Sequence, residues 1–93
     1  MTDMLDRLEA IIAERKEKPI EGSYTASLFQ SGRPKIAQKV GEEATEVVVA
    51  ALAQSRDEQI GELADLFYHT LVLMADINIS LDDVRAKLEE RHR

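Results

Sequence analysis

Five carboxylates in two short runs are the residues best equipped for chemistry: Glu42, Glu43 and Glu46, then Glu62 and Asp65. On a helix advancing about 100° per residue, the first three fall within one arc of roughly 100°, which Lys35 and Lys39 share. Glu62 and Asp65 stand about 60° apart on theirs, with His69 near their midline one turn on. A short antiparallel connection would turn the two patches toward each other, so that four or five carboxylates point into one small volume. Without a cation such groups repel and raise one another's pKa. A hard dication removes the repulsion, and oxygen-only ligands in this number suit Mg²⁺, with Mn²⁺ as a substitute.

Acids on a helix are more commonly a solvated face, and in a chain that is 32% charged such spacings arise by chance. Three details favour a site. None of the five has a Lys or Arg three or four residues C-terminal to it, the orientation that supports a surface ion pair, and Glu42 and Glu46 repel at i,i+4. Gly41 and Gly61 each immediately precede an acid inside a helix, where glycine costs about 1 kcal/mol relative to alanine. A close backbone approach or a bound ligand would explain both. Ala50 and Ala53 lie beyond Glu46 on the same side and leave space. Arg33, Lys35 and Lys39 are placed to receive phosphates. His69, beside Tyr68, reads as a structural hydrogen-bonder, His92 as a surface residue, and Asp76 as too far along its helix to share the metal.

The elements that position these residues are all helical. Leu5, Leu8, Ile11 and Ile12 recur at helical spacing, and that helix must end before Pro19. Residues 18–22 form a loop, and Ser23 caps a short helix from Tyr24 to Gln30 that stops near Gly32. Pro34 suits the first turn of a long helix running to about Gln54. Ser55 and Glu58 form a capping box opening a fourth helix, which continues to about Ile77 with Asn78 in the left-handed closing position. Ser80 caps the last helix, with Asp82 and Asp83 in its first turn. Valines 47 to 49 sit inside an uninterrupted helical pattern and do not make a strand. The expected fold is a single all-α bundle over residues 1–93, its third and fourth helices a central antiparallel hairpin. Two apolar stripes should face the core: Ile36, Val40, Ala44, Val47 and Ala51 on the third helix, and Ile60, Leu63, Phe67, Leu71 and Met74 on the fourth.

Ninety-three residues with no cysteine leave no disulfide to support a modest core. The net charge of −6 argues against nucleic acid or an anionic membrane as partner. No apolar run approaches the roughly 20 residues that span a bilayer, and the N-terminus carries acids where a signal peptide carries base. A cytoplasmic protein is expected. Leu66, Tyr68, Val72, Leu73 and Ala75 flank the fourth helix's main stripe, so that helix is apolar around most of its circumference. A homo-oligomer, a dimer or higher, would cover it.

The run Lys39-Val40-Gly41-Glu42-Glu43-Ala44-Thr45-Glu46, followed by Glu62-Leu63-Ala64-Asp65-Leu66-Phe67-Tyr68-His69, resembles the phosphoribosyl-ATP pyrophosphohydrolase family. That family lies in the MazG-like all-α nucleotide pyrophosphatase superfamily, whose mark is EExxE, a spacer, then ExxD. The mark alone also covers housecleaning nucleotide pyrophosphatases and dimeric dUTPases. The wider match, Leu28-Phe29 with Arg33 to Gln38 and Ser80 to Val84 with Glu89 to His92, singles out this member. Asn78-Ile79 stands where a glycine is expected before the last helix, a departure confined to a loop. The resemblance implies Mg²⁺-dependent hydrolysis of phosphoribosyl-ATP to phosphoribosyl-AMP and pyrophosphate, the second step of histidine biosynthesis. It makes Glu43, Glu46, Glu62 and Asp65 the metal ligands, and Glu42 an accessory ligand or the acceptor of the attacking water's proton. The residues read by themselves reach the same set without ordering the roles. Relatives in the superfamily complete their sites from two chains, and many members of the family carry a fused cyclohydrolase domain; none is expected here. Two other functions stand beside this one: a housecleaning nucleotide pyrophosphatase of the same superfamily, and a non-enzymatic acidic helical module.

Overall fold

The computed structural model describes residues 2–93 and contains five helices with no strand among them. They are α1 (Met4–Glu17), α2 (Tyr24–Ser31), α3 (Arg33–Ala53), α4 (Arg56–Asp76) and α5 (Leu81–His92). Local chemistry sets each boundary. Ser55 accepts from the Glu58 backbone while Glu58 reaches back to the Ser55 backbone, and Ser80 and Asp83 repeat the device at α5. Asp3 and Asp6 form a third capping box that opens α1. Gly32 separates α2 from α3 with φ 94°, a backbone conformation side chains resist, and Pro34 follows in the first turn of α3. Asn78 closes the α4 end with φ 60°, as its residue type predicts.

The hairpin of α3 and α4 is the spine. Helix α1 lies on α4 and α2, and α2 lies on both arms of the hairpin. The buried core is Ile12, Leu28, Ile36, Leu71 and Val72, edged by Leu5, Leu8, Phe29, Tyr68, Leu73 and Met74. All of these lie at the end of the hairpin remote from its turn, where α1 and α2 sit. Polar contacts hold the periphery. The Lys16 ammonium donates to the Ala75 carbonyl at 2.7 Å, satisfying part of the α4 C-terminus. The Leu81 amide donates to Glu9 at 2.7 Å and Arg85 reaches Asp6 at 2.9 Å, so α5, which buries no residue of its own, is fastened at its start to α1.

Coverage departs from the sequence expectation. Ile60, Leu63 and Phe67, expected to face the core, are 54%, 43% and 51% exposed. Ala51 is also exposed, while Val72, expected to await a partner, is fully buried. The reason is length. Helices α1 and α2 are too short to cover both ends of a 21-residue hairpin arm, and they cover the end carrying Ile36 and Val72. The turn-proximal half, with Val48, Val49 and Leu52 on α3, is left open.

Candidate metal centre

Helix α3 supplies Glu43 and helix α4 supplies Glu62 and Asp65, and one carboxylate oxygen from each lies within 4.8 Å of the others. The rigid register of an antiparallel hairpin produces this meeting. Glu43 is only 7% exposed. Its Oε2 and the Oε2 of Glu62 are buried with no hydrogen-bond donor among the described residues. A buried carboxylate oxygen without a donor is costly, and a bound cation removes the cost. The donor set, all oxygen and all anionic, fits a hard dication.

Electrostatics points the same way. Burial pushes the Glu43 carboxyl above its ordinary range, the adjacent Glu46 adds to the rise, and Asp65 contributes further. Glu62 is raised first by Glu46, then by burial, Asp65 and Glu43. These are the marks of like charges held together by the fold. Glu46 is therefore against the cluster although it is exposed and outside the tight trio.

The other expected site residues divide. Glu42 stands at the rim, exposed, 3.6 Å from the Lys39 ammonium and accepting from Gln38 at 3.4 Å. Lys39 also approaches Glu43 at 3.8 Å, so it borders the cluster. Lys35 is exposed and makes no ion pair among the described residues. Arg33 is committed elsewhere: its Nε donates to Asp76 at 2.7 Å and its Nη2 to the Asp76 carbonyl at 3.1 Å. At about 1.5 Å per residue, some 15 Å of helix separates it from Glu43. His69 is structural, as expected: the ring is buried, with Nδ1 at 2.7 Å from the Asp65 carbonyl and Nε2 at 3.0 Å from the Tyr24 hydroxyl.

Two details expected to mark the site do not mark it. A Cβ on Gly41 or Gly61 would meet nothing within 4 Å, so neither glycine serves a close backbone approach within this chain. Ala50 leaves no space; it is fully buried, and its carbonyl accepts from Gln59 at 3.1 Å. Sequence reasoning passed over Tyr24, whose hydroxyl the fold brings from α2 to 3.0 Å from Nε2 of His69.

An all-helical chain whose central hairpin gathers carboxylates from both arms is a MazG-like bundle. Within that class the chain belongs to the phosphoribosyl-ATP pyrophosphohydrolase family, whose pattern it matches over residues 5–92. It is 55% identical over 91 residues to a phosphoribosyl-ATP pyrophosphatase of Metallosphaera sedula, covering 98% of each chain. It is 51% identical over 89 residues to the phosphoribosyl-ATP pyrophosphatase of Clostridium botulinum, covering 96% of this chain and 81% of that one. The histidine biosynthesis bifunctional protein HisIE of Campylobacter jejuni is 53% identical over 89 residues, a match that spans 43% of its length.

Proposed function

We propose that this chain hydrolyses phosphoribosyl-ATP to phosphoribosyl-AMP and pyrophosphate, the second step of histidine biosynthesis, with Mg²⁺ (Mn²⁺ as substitute) held by Glu43, Glu46, Glu62 and Asp65. The observation that carries the reading is the trio Glu43, Glu62 and Asp65, with two buried carboxylate oxygens lacking donors. Family membership supplies the substrate.

When bound, the dication supplies positive charge to the triphosphate and to the departing pyrophosphate. The chain supplies the rest. Glu43 and Glu62, one from each arm, fix the site's position through the hairpin register. Lys39 and Lys35 meet phosphate oxygens on the α3 side and stabilise charge that develops there. Arg33, its guanidinium held by Asp76, is left out of that set and instead pins the open end of the hairpin. Water attacks at the α–β phosphoanhydride linkage; the P–O bond to the departing pyrophosphate breaks and the water's proton passes to a carboxylate at the rim. Glu42 is the group for that proton. No covalent nucleophile is required, and the chain has no cysteine to offer one.

The working form is a homo-oligomer, at least a dimer. The accessible surface is 6618 Å², against about 5,400 Å² for a typical folded monomer of this mass. The radius of gyration is 14.3 Å, against about 12 Å for a compact chain of this length. Both excesses fit a subunit whose open apolar face is closed by a second copy. The whole chain acts as one domain. No helix among the described residues is long and apolar enough to cross a membrane, in keeping with a cytoplasmic enzyme of small-molecule metabolism.

Hydrolysis of phosphoribosyl-ATP in ¹⁸O-labelled water tests the reading. Phosphoribosyl-AMP and pyrophosphate should form in equal amounts, with one labelled oxygen per turnover, and EDTA should abolish both. Release of inorganic phosphate alone, or turnover indifferent to EDTA, would refute it.

A further inference from the structure

We infer that the cavity between the α1–α2 loop and α2 receives the adenine base of the substrate, stacked on the ring of Tyr24. This rests on the pyrophosphohydrolase reading of the carboxylate cluster and adds to it the surface that holds the nucleoside.

The cavity measures about 610 Å³, and Pro19, Ile20, Glu21 and Tyr24 are among the residues that line it. Its loop is a tight turn: Gly22 has φ 85°, and the Ser23 amide donates to the Ile20 carbonyl at 3.0 Å. Tyr24 ties this cavity to the carboxylates. Its hydroxyl lies 3.0 Å from Nε2 of His69, and Nδ1 of the same ring lies 2.7 Å from the carbonyl of Asp65. A carbonyl oxygen only accepts, so Nδ1 carries a hydrogen, and in the neutral ring Nε2 accepts from the tyrosine. Two hydrogen bonds and the width of one imidazole therefore separate Tyr24 from a member of the acidic trio. His69 is buried, and Tyr68 stacks on Tyr24 at 6.2 Å between centroids with 27° between the ring planes. Held at its tip and along one face, the Tyr24 ring is nevertheless half exposed. An aromatic surface fixed in orientation loses little entropy when a base stacks on it.

The lining decides which part of the substrate enters. Phosphoribosyl-ATP carries phosphate at both ends, and phosphate needs cations. Among the described residues the lining holds no lysine or arginine, and its one charged side chain is Glu21. That carboxylate repels phosphate and accepts hydrogen bonds from ribose hydroxyls. Pro19, Ile20 and the tyrosine ring offer apolar surface to the body of a purine. The triphosphate belongs with the carboxylates and their cation, where Lys39 stands 3.8 Å from Glu43. A single ribose joins base to triphosphate, and the two surfaces that receive them meet at Tyr24. The other half-exposed aromatic, Phe67, lies two residues from Asp65 and so about 200° around α4, on the side away from the cluster.

Calorimetric titration in Mg²⁺ with AMP and with ribose 5-phosphate, which lacks the base, tests this on the parent, Tyr24→Phe and Tyr24→Leu. The parent should bind AMP about tenfold more tightly than ribose 5-phosphate, the worth of one stacked base. Tyr24→Phe should keep most of that preference because the ring remains, and Tyr24→Leu should reduce it to about twofold or less. A merely structural Tyr24 would weaken both ligands together in Tyr24→Leu and leave the preference intact; that result overturns the inference, as does a parent with no preference. Nuclear Overhauser contacts between the Tyr24 ring and the adenine protons of AMP, read on the parent with its two tyrosines, need no variant to fold; their absence in the AMP-bound parent also overturns it. Turnover of phosphoribosyl-ATP by the parent is measured alongside. Turnover without a base preference sinks this inference alone, whereas no turnover sinks the function on which it rests.

Discussion

Glu46 presses on Glu43 and on Glu62 at once, so its charge is the most instructive one to remove. Glu46→Gln keeps the shape and deletes the repulsion. In EDTA the variant should melt no lower than the parent. Mg²⁺ should raise the parent's Tm by mass action and the variant's much less, and activity should fall on the order of a hundredfold, a loss of a few kcal/mol of charge stabilisation. A variant that melts well below the parent in EDTA would show that Glu46 has a structural partner instead. The same repulsion sets a pH dependence. Glu43 and Glu62 are raised above the ordinary 4.5 in the metal-free fold. The stability they contribute is therefore fully present below 4.5 and lost as pH rises through their raised values. Asp6, depressed below 3.8 by Arg85, contributes above 3.8 and fails only as pH falls through its lowered value. Urea unfolding in EDTA should show the protein gaining stability from pH 7 toward 5, and a steady loss over that range would contradict the clustered carboxylates. The trio itself was legible in the sequence, because helical spacing fixes which carboxylates share a face. Tyr24 was not, since 45 residues of chain separate it from His69 and only packing joins them. The partner that Arg33 takes in the fold was not legible for a related reason: Asp76 lies 43 residues further along the chain.

Among the elements, the caps were the most readable feature. Ser55 with Glu58, Ser80 with Asp83, Pro34 and Asn78 each act within four residues of chain, so their chemistry is local and survives tertiary packing. The box at Ser55 matters beyond stability, because it starts the helix whose second turn carries Glu62. Ser55→Ala should cost about 1 kcal/mol and lower Tm by roughly 4–8 °C. Denaturant unfolding with an unchanged m-value would confirm that only stability moved; a loss below a few tenths of a kcal/mol would mean that tertiary contacts alone hold the α4 entry. What periodicity did not convey was which part of an apolar face is covered. Ile60 and Leu71 lie on one stripe of α4, yet one is 54% exposed and the other 5%. The stripe is continuous in sequence, and the difference comes from where α1 and α2 end.

At the scale of the whole molecule, that uncovered stripe is a prediction about assembly. Phe67→Glu places a charge in the middle of the open face. Across two symmetric copies it removes about 3 kcal/mol or more of apolar burial, enough to weaken self-association on the order of a hundredfold. Light scattering at micromolar concentration should find the parent oligomeric and the variant monomeric; a monomeric parent with full activity would refute the assembly. The overall charge of −6 fits the same picture, since an acidic surface gives an anionic nucleotide little to bind except through a cation and a few local lysines. Substrate preference is the property that separates this family from its superfamily relatives, which share the acidic motif. The most direct measurement is pyrophosphate release with phosphoribosyl-ATP offered beside ATP, dCTP and dUTP in Mg²⁺. Hydrolysis of phosphoribosyl-ATP far faster than of the other three is the expected result, and equal turnover, or preference for a deoxynucleotide, would contradict the assignment.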